Sequence, residues 1–209
     1  MSRLARVLLI SGCALGLVVG CGASVEPLDP RDLTLPPETR RFVADAEDGM
    51  IVARARRDAA REDLREVEEW RSRLLDEVEW GSAGGVNMDD MLETLMDARV
   101  ELARRALIHV EAVVELAEAK YDLANAERAV LHDLASYDLE PIRQRVDDLR
   151  RDVATARDRS LSQRQRVEAQ TTRFWTAFSR YAEAGGDTRS YWTAAWTRTE
   201  RGLAERSSE

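Results

Sequence analysis

Tyr137-Asp138-Leu139-Glu140-Pro141-Ile142-Arg143-Gln144-Arg145-Val146 decides the fold. Before it, a seven-residue series runs Leu95, Leu102, His109, Leu116, Leu123, Val130, Tyr137. Met96, Ala103, Val110, Ala117, Ala124 and Leu131 form a second series beside it. Carried onward, this frame would place Gln144 and Arg145 in the apolar seam. After Pro141 a new frame fits: Ile142, Leu149, Ala156, Gln163, Gln170, Ala177, with Val146, Val153, Ser160, Val167, Phe174, Tyr181. A proline inside a helix removes a backbone hydrogen bond and clashes with the preceding turn. Frame break and proline together predict a chain reversal near residues 138–140, not one kinked helix.

Working outward, the same periodicity predicts a helix from about residue 37 to 80. Its seam is Val43, Met50, Arg57, Leu64, Arg71, Val78, with Ala46, Ala53, Ala60, Val67 and Leu74. Alternating steps of three and four are the spacing of a coiled coil. Arg57 and Arg71 can snorkel from the seam to water. Pro37 suits the first turn of this helix, followed by the acidic Glu38. Gly81 to Asn87 forms a turn, and Asn87, Asp89 and Asp90 offer a cap and an acidic first turn for a second helix, to about residue 139. Val113, Val114 and Ala106 widen its stripe beyond one seam, which suits a helix with two neighbours. Gly185 and Gly186 end the third helix, and a short amphipathic helix with Trp192, Trp196, Thr199 and Leu203 on one side follows. The expected class is all-α: an elongated antiparallel coiled-coil bundle of three long helices over 37–184, then a short helix and tail over 185–209. No β-strand is expected.

The first 36 residues are of another kind. Arg3 and Arg6 precede an apolar run, Val7 to Val19, too short to span a bilayer comfortably and followed by no stop-transfer pattern. Residues 1–20 are therefore read as a signal peptide. Leu17-Val18-Val19-Gly20-Cys21 resembles the lipobox of bacterial lipoproteins. The resemblance implies cleavage before Cys21 and a diacylglyceryl group on its thiol. Ile10-Ser11-Gly12-Cys13 fits the pattern loosely, but would leave an apolar run of only a few residues. With Cys13 discarded, Cys21 is the only mature cysteine and no intrachain disulfide can form. Two acyl chains already give stable anchoring. Gly22 follows the cysteine, where Asp favours inner-membrane retention in enteric bacteria, so the resemblance implies the outer membrane. Pro27, Pro30 and Pro36 make residues 21–36 a lipidated, extended tether.

Composition narrows the partners. The 31 basic residues, Lys120 the single lysine, face 39 acidic ones. Loss of residues 1–20 removes Arg3 and Arg6, so 29 face 39, a net charge of −10. An acidic chain without a basic patch argues against nucleic acid and against charge-driven binding to an anionic bilayer.

Residues 50–132 also resemble one helical hairpin of the TolC-like outer-membrane efflux factors. Trp80-Gly81 parallels that family's tip. Glu93-Thr94-Leu95-Met96-Asp97-Ala98-Arg99 parallels the segment after it, and Ala119-Lys120-Tyr121-Asp122-Leu123-Ala124 the later turns. The resemblance implies an accessory role in efflux or secretion. The chain has one such hairpin and none of the family's barrel strands.

Chemistry-bearing motifs are few. His109 and His132 have Ala106 and Ala129 three residues before them, so the Glu-x-x-His pairing of di-iron bundles is absent. Gly81 to Gly85 lacks the Lys-Ser/Thr ending of a phosphate loop. No catalytic residue, metal or cofactor is assigned, and no enzymatic activity is expected. Ser160, Gln163 and Gln170 interrupt the third seam, where polar residues either set register or mark local exposure. Trp80, Phe174, Trp175, Phe178 and Tyr181 should meet at the end far from Cys21, joined by Trp192 and Trp196. There they form either a hydrophobic cap or a docking surface. The expected protein is a lipid-anchored, periplasm-facing spacer or docking partner. Its expected partners are the membrane, an unidentified envelope protein, or a second copy of itself.

Overall fold

The computed structural model describes residues 25–188. The element order is α1 (Pro37–Glu77), β1 (Ser82–Ala83), β2 (Val86–Asn87), α2 (Met88–Leu131) and α3 (Leu139–Glu183). The chain is all-α apart from the strand pair. That pair corrects the expectation of no strand: Ser82 and Ala83 pair antiparallel with Asn87 and Val86. Gly84 and Gly85 between them have φ of +59° and +76°. Positive φ at both central residues matches the twist of a two-residue hairpin, and glycine adopts it without a Cβ penalty.

The broad stripe of α2 has its expected consequence. α2 packs along both α1 and α3, and no comparable packing joins α1 to α3. Arg54 meets Glu118 at 2.8 Å, Arg61 meets Glu111 at 3.1 Å, and Glu68 meets Arg104 at 2.7 Å. As the α1 partner rises by seven, the α2 partner falls by seven. The two helices therefore run in opposite directions in heptad register. These side chains are 40–54% exposed, so each pair contributes about 0–1 kcal/mol. Their regular spacing fixes alignment more than it adds stability. Arg71 leaves the seam for Asp97, at 2.6 Å, and Arg57 turns to Asp58 at 2.9 Å. α3 descends α2 in the same sense, through Arg143–Glu127, Arg145–Asp122 and Gln163 with the Ala98 carbonyl.

Two helix ends lie earlier than expected. α1 stops at Glu77, three residues before Trp80. α2 stops at Leu131, eight before residue 139. Asp133 has φ +54°, its N–H donates to Val130 O at 3.2 Å, and Leu134 N–H donates to Ala129 O at 2.9 Å. This is the paired-bond ending that usually takes glycine in the left-handed position; aspartate fills it here. The reversal thus occupies residues 132–138, and Tyr137 leaves the seam for the loop. Asp138 caps α3 by accepting from Glu140 N–H at 3.1 Å.

The α3 frame holds along its length: Val146, Ala156, Gln163, Phe174 and Tyr181 are buried. Gln163 crosses to α2, its Nε2 donating to Ala98 O at 3.0 Å, which favours the register-setting role for this polar residue. The densest core lies around the hairpin. There Leu74, Val78, Trp80, Met88, Leu92, Leu95, Met96, Phe174 and Tyr181 form one cluster.

Candidate functional site

The hairpin end is built by polar clamps around aromatic rings. Asn87 accepts from the Asp89 and Asp90 N–H groups, capping α2. The Asp89 carboxylate then accepts from Trp80 N–H at 2.8 Å and Gly81 N–H at 2.9 Å. This holds the exit of α1 over the start of α2 and directs the Trp80 ring at α3. Ring centroids of Phe178, Phe174 and Tyr181 lie 5.5, 5.9 and 6.4 Å from that of Trp80. Trp175 packs edge-on to Phe174 and Phe178 at 5.3 and 5.7 Å. The Tyr181 hydroxyl donates to the Trp80 carbonyl at 2.7 Å and accepts from Asp187 N–H at 3.1 Å.

All five expected aromatics therefore meet, as a closed core. Trp80, Phe174 and Tyr181 are 7%, 0% and 2% exposed. A docking surface needs accessible rings, so the burial of these three favours the hydrophobic cap of the two alternatives, while Trp175 and Phe178 keep part of their surface. Trp192 and Trp196 lie outside the described residues, as does Cys21. The hairpin tip after Trp80 is packed against α3 by these same rings.

The opposite end holds contacts that sequence reasoning did not find. Asn125 is buried; its Nδ2 donates to Tyr121 O at 2.8 Å and its Oδ1 accepts from Leu28 N–H at 2.7 Å. Tyr137 OH accepts from Glu26 N–H at 3.1 Å. Thr39 Oγ1 and His132 Nε2 are 2.6 Å apart, and the Arg128 guanidinium lies 4.1 Å over the Phe42 ring. Residues 26–39, expected in part as a free tether, are thus fastened to α2 and the loop after it. The signal was slight: one asparagine between Ala124 and Ala126.

Between these ends, an apolar groove of about 580 Å³ runs over α2 between α1 and α3. Phe42, Gly49, Val52, Val113, Leu116 and Leu123 line it, with Lys120 and Arg150 at its edge.

Titrating groups in the helices follow their burial. Desolvation, then the charge of Arg157, holds His109 below its usual pKa, which fits its half-buried seam position. Desolvation, with Glu118 adding to it, raises the Asp122 carboxyl, and Arg145 at 3.7 Å opposes without cancelling this. Burial lowers the Arg99 guanidinium to about 10, still a cation at neutral pH. Among the described residues, no group of three or more His, Cys, Asp or Glu is placed to hold a metal ion. No described helix is long and apolar enough to cross a membrane. The chain matches no protein-family model, no curated protein and no solved structure.

Proposed function

We propose that this chain is a lipid-anchored, periplasm-facing coiled-coil protein of the outer membrane that spaces components of the cell envelope. The supporting observation is the side-by-side pairing of helices of 41, 44 and 45 residues. At 1.5 Å per residue each is about 60–70 Å long. On this reading they form an elongated antiparallel coiled-coil rod, closed far from the anchor by the Trp80 cluster. With Trp80, Phe174 and Tyr181 committed to the core, spacing is better supported than docking. The reading assigns no catalysis. The anchor itself rests on Leu17-Val18-Val19-Gly20-Cys21 in the sequence.

Labelled palmitate should enter the wild-type chain and be lost in Cys21→Ala. Small-angle scattering of the unlipidated mature chain should give the profile of a rod. Undiminished labelling of Cys21→Ala would remove the anchor from Cys21, and a compact scattering profile would remove the spacer.

A further inference from the structure

The fastened N-terminal segment limits how far the bundle can stand from its anchor. A free chain from Cys21 to Pro36 would reach about 54 Å at full extension. Glu26, however, is bonded to Tyr137 in the reversal between α2 and α3. Only five residue steps separate Glu26 from Cys21, about 18 Å at most. Leu28 lies beside Asn125 within α2, and Glu26 beside the loop beyond its end. Followed backwards, the chain therefore leaves at this end of the bundle.

The same end presents leucines that nothing covers. Leu33, Leu131 and Leu134 are 81%, 61% and 54% exposed. Their presentation is built. Asp32 accepts from the N–H and hydroxyl of Thr34, bracing the turn that carries Leu33. The left-handed Asp133 and its flanking bonds fix the turn between Leu131 and Leu134. Single exposed apolar side chains are common on a protein surface, but these three stand at the end from which the chain leaves toward its anchor. Here the anchor brings a lipid surface within reach of that end.

We infer that this end rests on the bilayer, with Leu33, Leu131 and Leu134 seated among the headgroups and the helices directed away from the membrane. The inference rests on the lipid-anchor reading and adds an orientation to it. Exposed Asp29, Asp32, Asp133, Asp138, Glu26, Glu38 and Glu140 lie at the same end and outnumber the exposed cations there, Arg31, Arg41 and Arg143. Anionic lipid repels such a face, so it fits zwitterionic headgroups.

The test uses the full lipidated chain in phosphatidylcholine vesicles that carry headgroup nitroxides. An environment-sensitive fluorophore is placed on Leu134→Cys, or on Ser82→Cys at the far end. The label at position 134 should shift to the blue and be quenched; the label at position 82 should do neither. Adding Leu33→Asn and Leu131→Asn should reduce the shift at position 134 and leave the helical circular-dichroism spectrum unchanged. If the chain floats with vesicles while position 134 reports water, the inference is overturned and the anchor stands. Quenching at both positions also overturns it, since the bundle then lies flat. If no palmitate is carried, the anchor fails and the orientation falls with it.

Discussion

The Tyr181 hydroxyl reaches across 101 positions of sequence to donate a buried 2.7 Å hydrogen bond to the backbone carbonyl of Trp80. The last turn of α3 is thereby tied to the segment that leaves α1. Tyr181→Phe keeps the ring but removes this bond and the one from Asp187 N–H. Loss of the buried bond to the Trp80 carbonyl should cost about 1–3 kcal/mol. The urea midpoint should fall while the helical spectrum is unchanged; an unaltered midpoint would show that the bond adds nothing to stability.

Two glycines should respond to alanine with opposite signs. A Cβ at Gly186 would stand 2.3 Å from Cε1 of Tyr181, whose ring is enclosed and has nowhere to swing. Overpacking of this kind costs about 1–3 kcal/mol. At Gly49, inside α1, a Cβ meets nothing within 4 Å. There Gly49→Ala should stabilise by roughly 0.5–1 kcal/mol, as expected for a helix interior. Thermal melts of the two variants should move apart from the wild type in opposite directions.

The register of α1 on α2 can be read by crosslinking. Arg61 and Glu111 are in contact at 3.1 Å. Arg61→Cys with Glu111→Cys, in a Cys21→Ser chain without residues 1–20, should join within one monomer through the shortest bifunctional reagent. Arg61→Cys with Glu118→Cys is displaced by one heptad, about 10 Å along the axis, and should not. Equal yields from both pairs would mean that the helices slide.

His109 should make the bundle acid-sensitive. Its folded pKa is held below the ordinary 6.5 by desolvation and by Arg157. Above 6.5 both folded and unfolded chains carry it neutral, and it adds no pH dependence. As pH falls below that value the unfolded chain takes the proton first, so stability is lost until the folded pKa is passed. Asp122, with its raised pKa, has the opposite sign: its penalty is relieved as pH falls through the raised value. The melting temperature of wild type should therefore fall more than that of His109→Leu when pH is lowered through 6.5. Parallel curves would show that this histidine titrates alike in both states.

The heptads were legible because burial on α3 follows the same period as its sequence: Val146, Ala156, Gln163, Phe174 and Tyr181 face inward where the frame puts them. The end of α2 was not, since Asp133 takes a backbone conformation usually marked by glycine. Strands of two residues are too short to show any alternation. Spacing also brought the aromatics to one end, but periodicity cannot say whether rings at a helix end face a neighbour or water. The fastening of Leu28 to Asn125 joins residues 97 apart, and no local pattern records such a bond.

The ion pairs that step by seven along α1 and α2 have a consequence for length. Removing one heptad from α1 and the matching heptad from α2 would leave the remaining arginine–glutamate pairs of this ladder opposite one another. The two ends, with their separate clamps, would be untouched. Such a helix pair is graduated: it can be shortened or extended in increments of about 10 Å, and a cut of any other size would take these three pairs out of register.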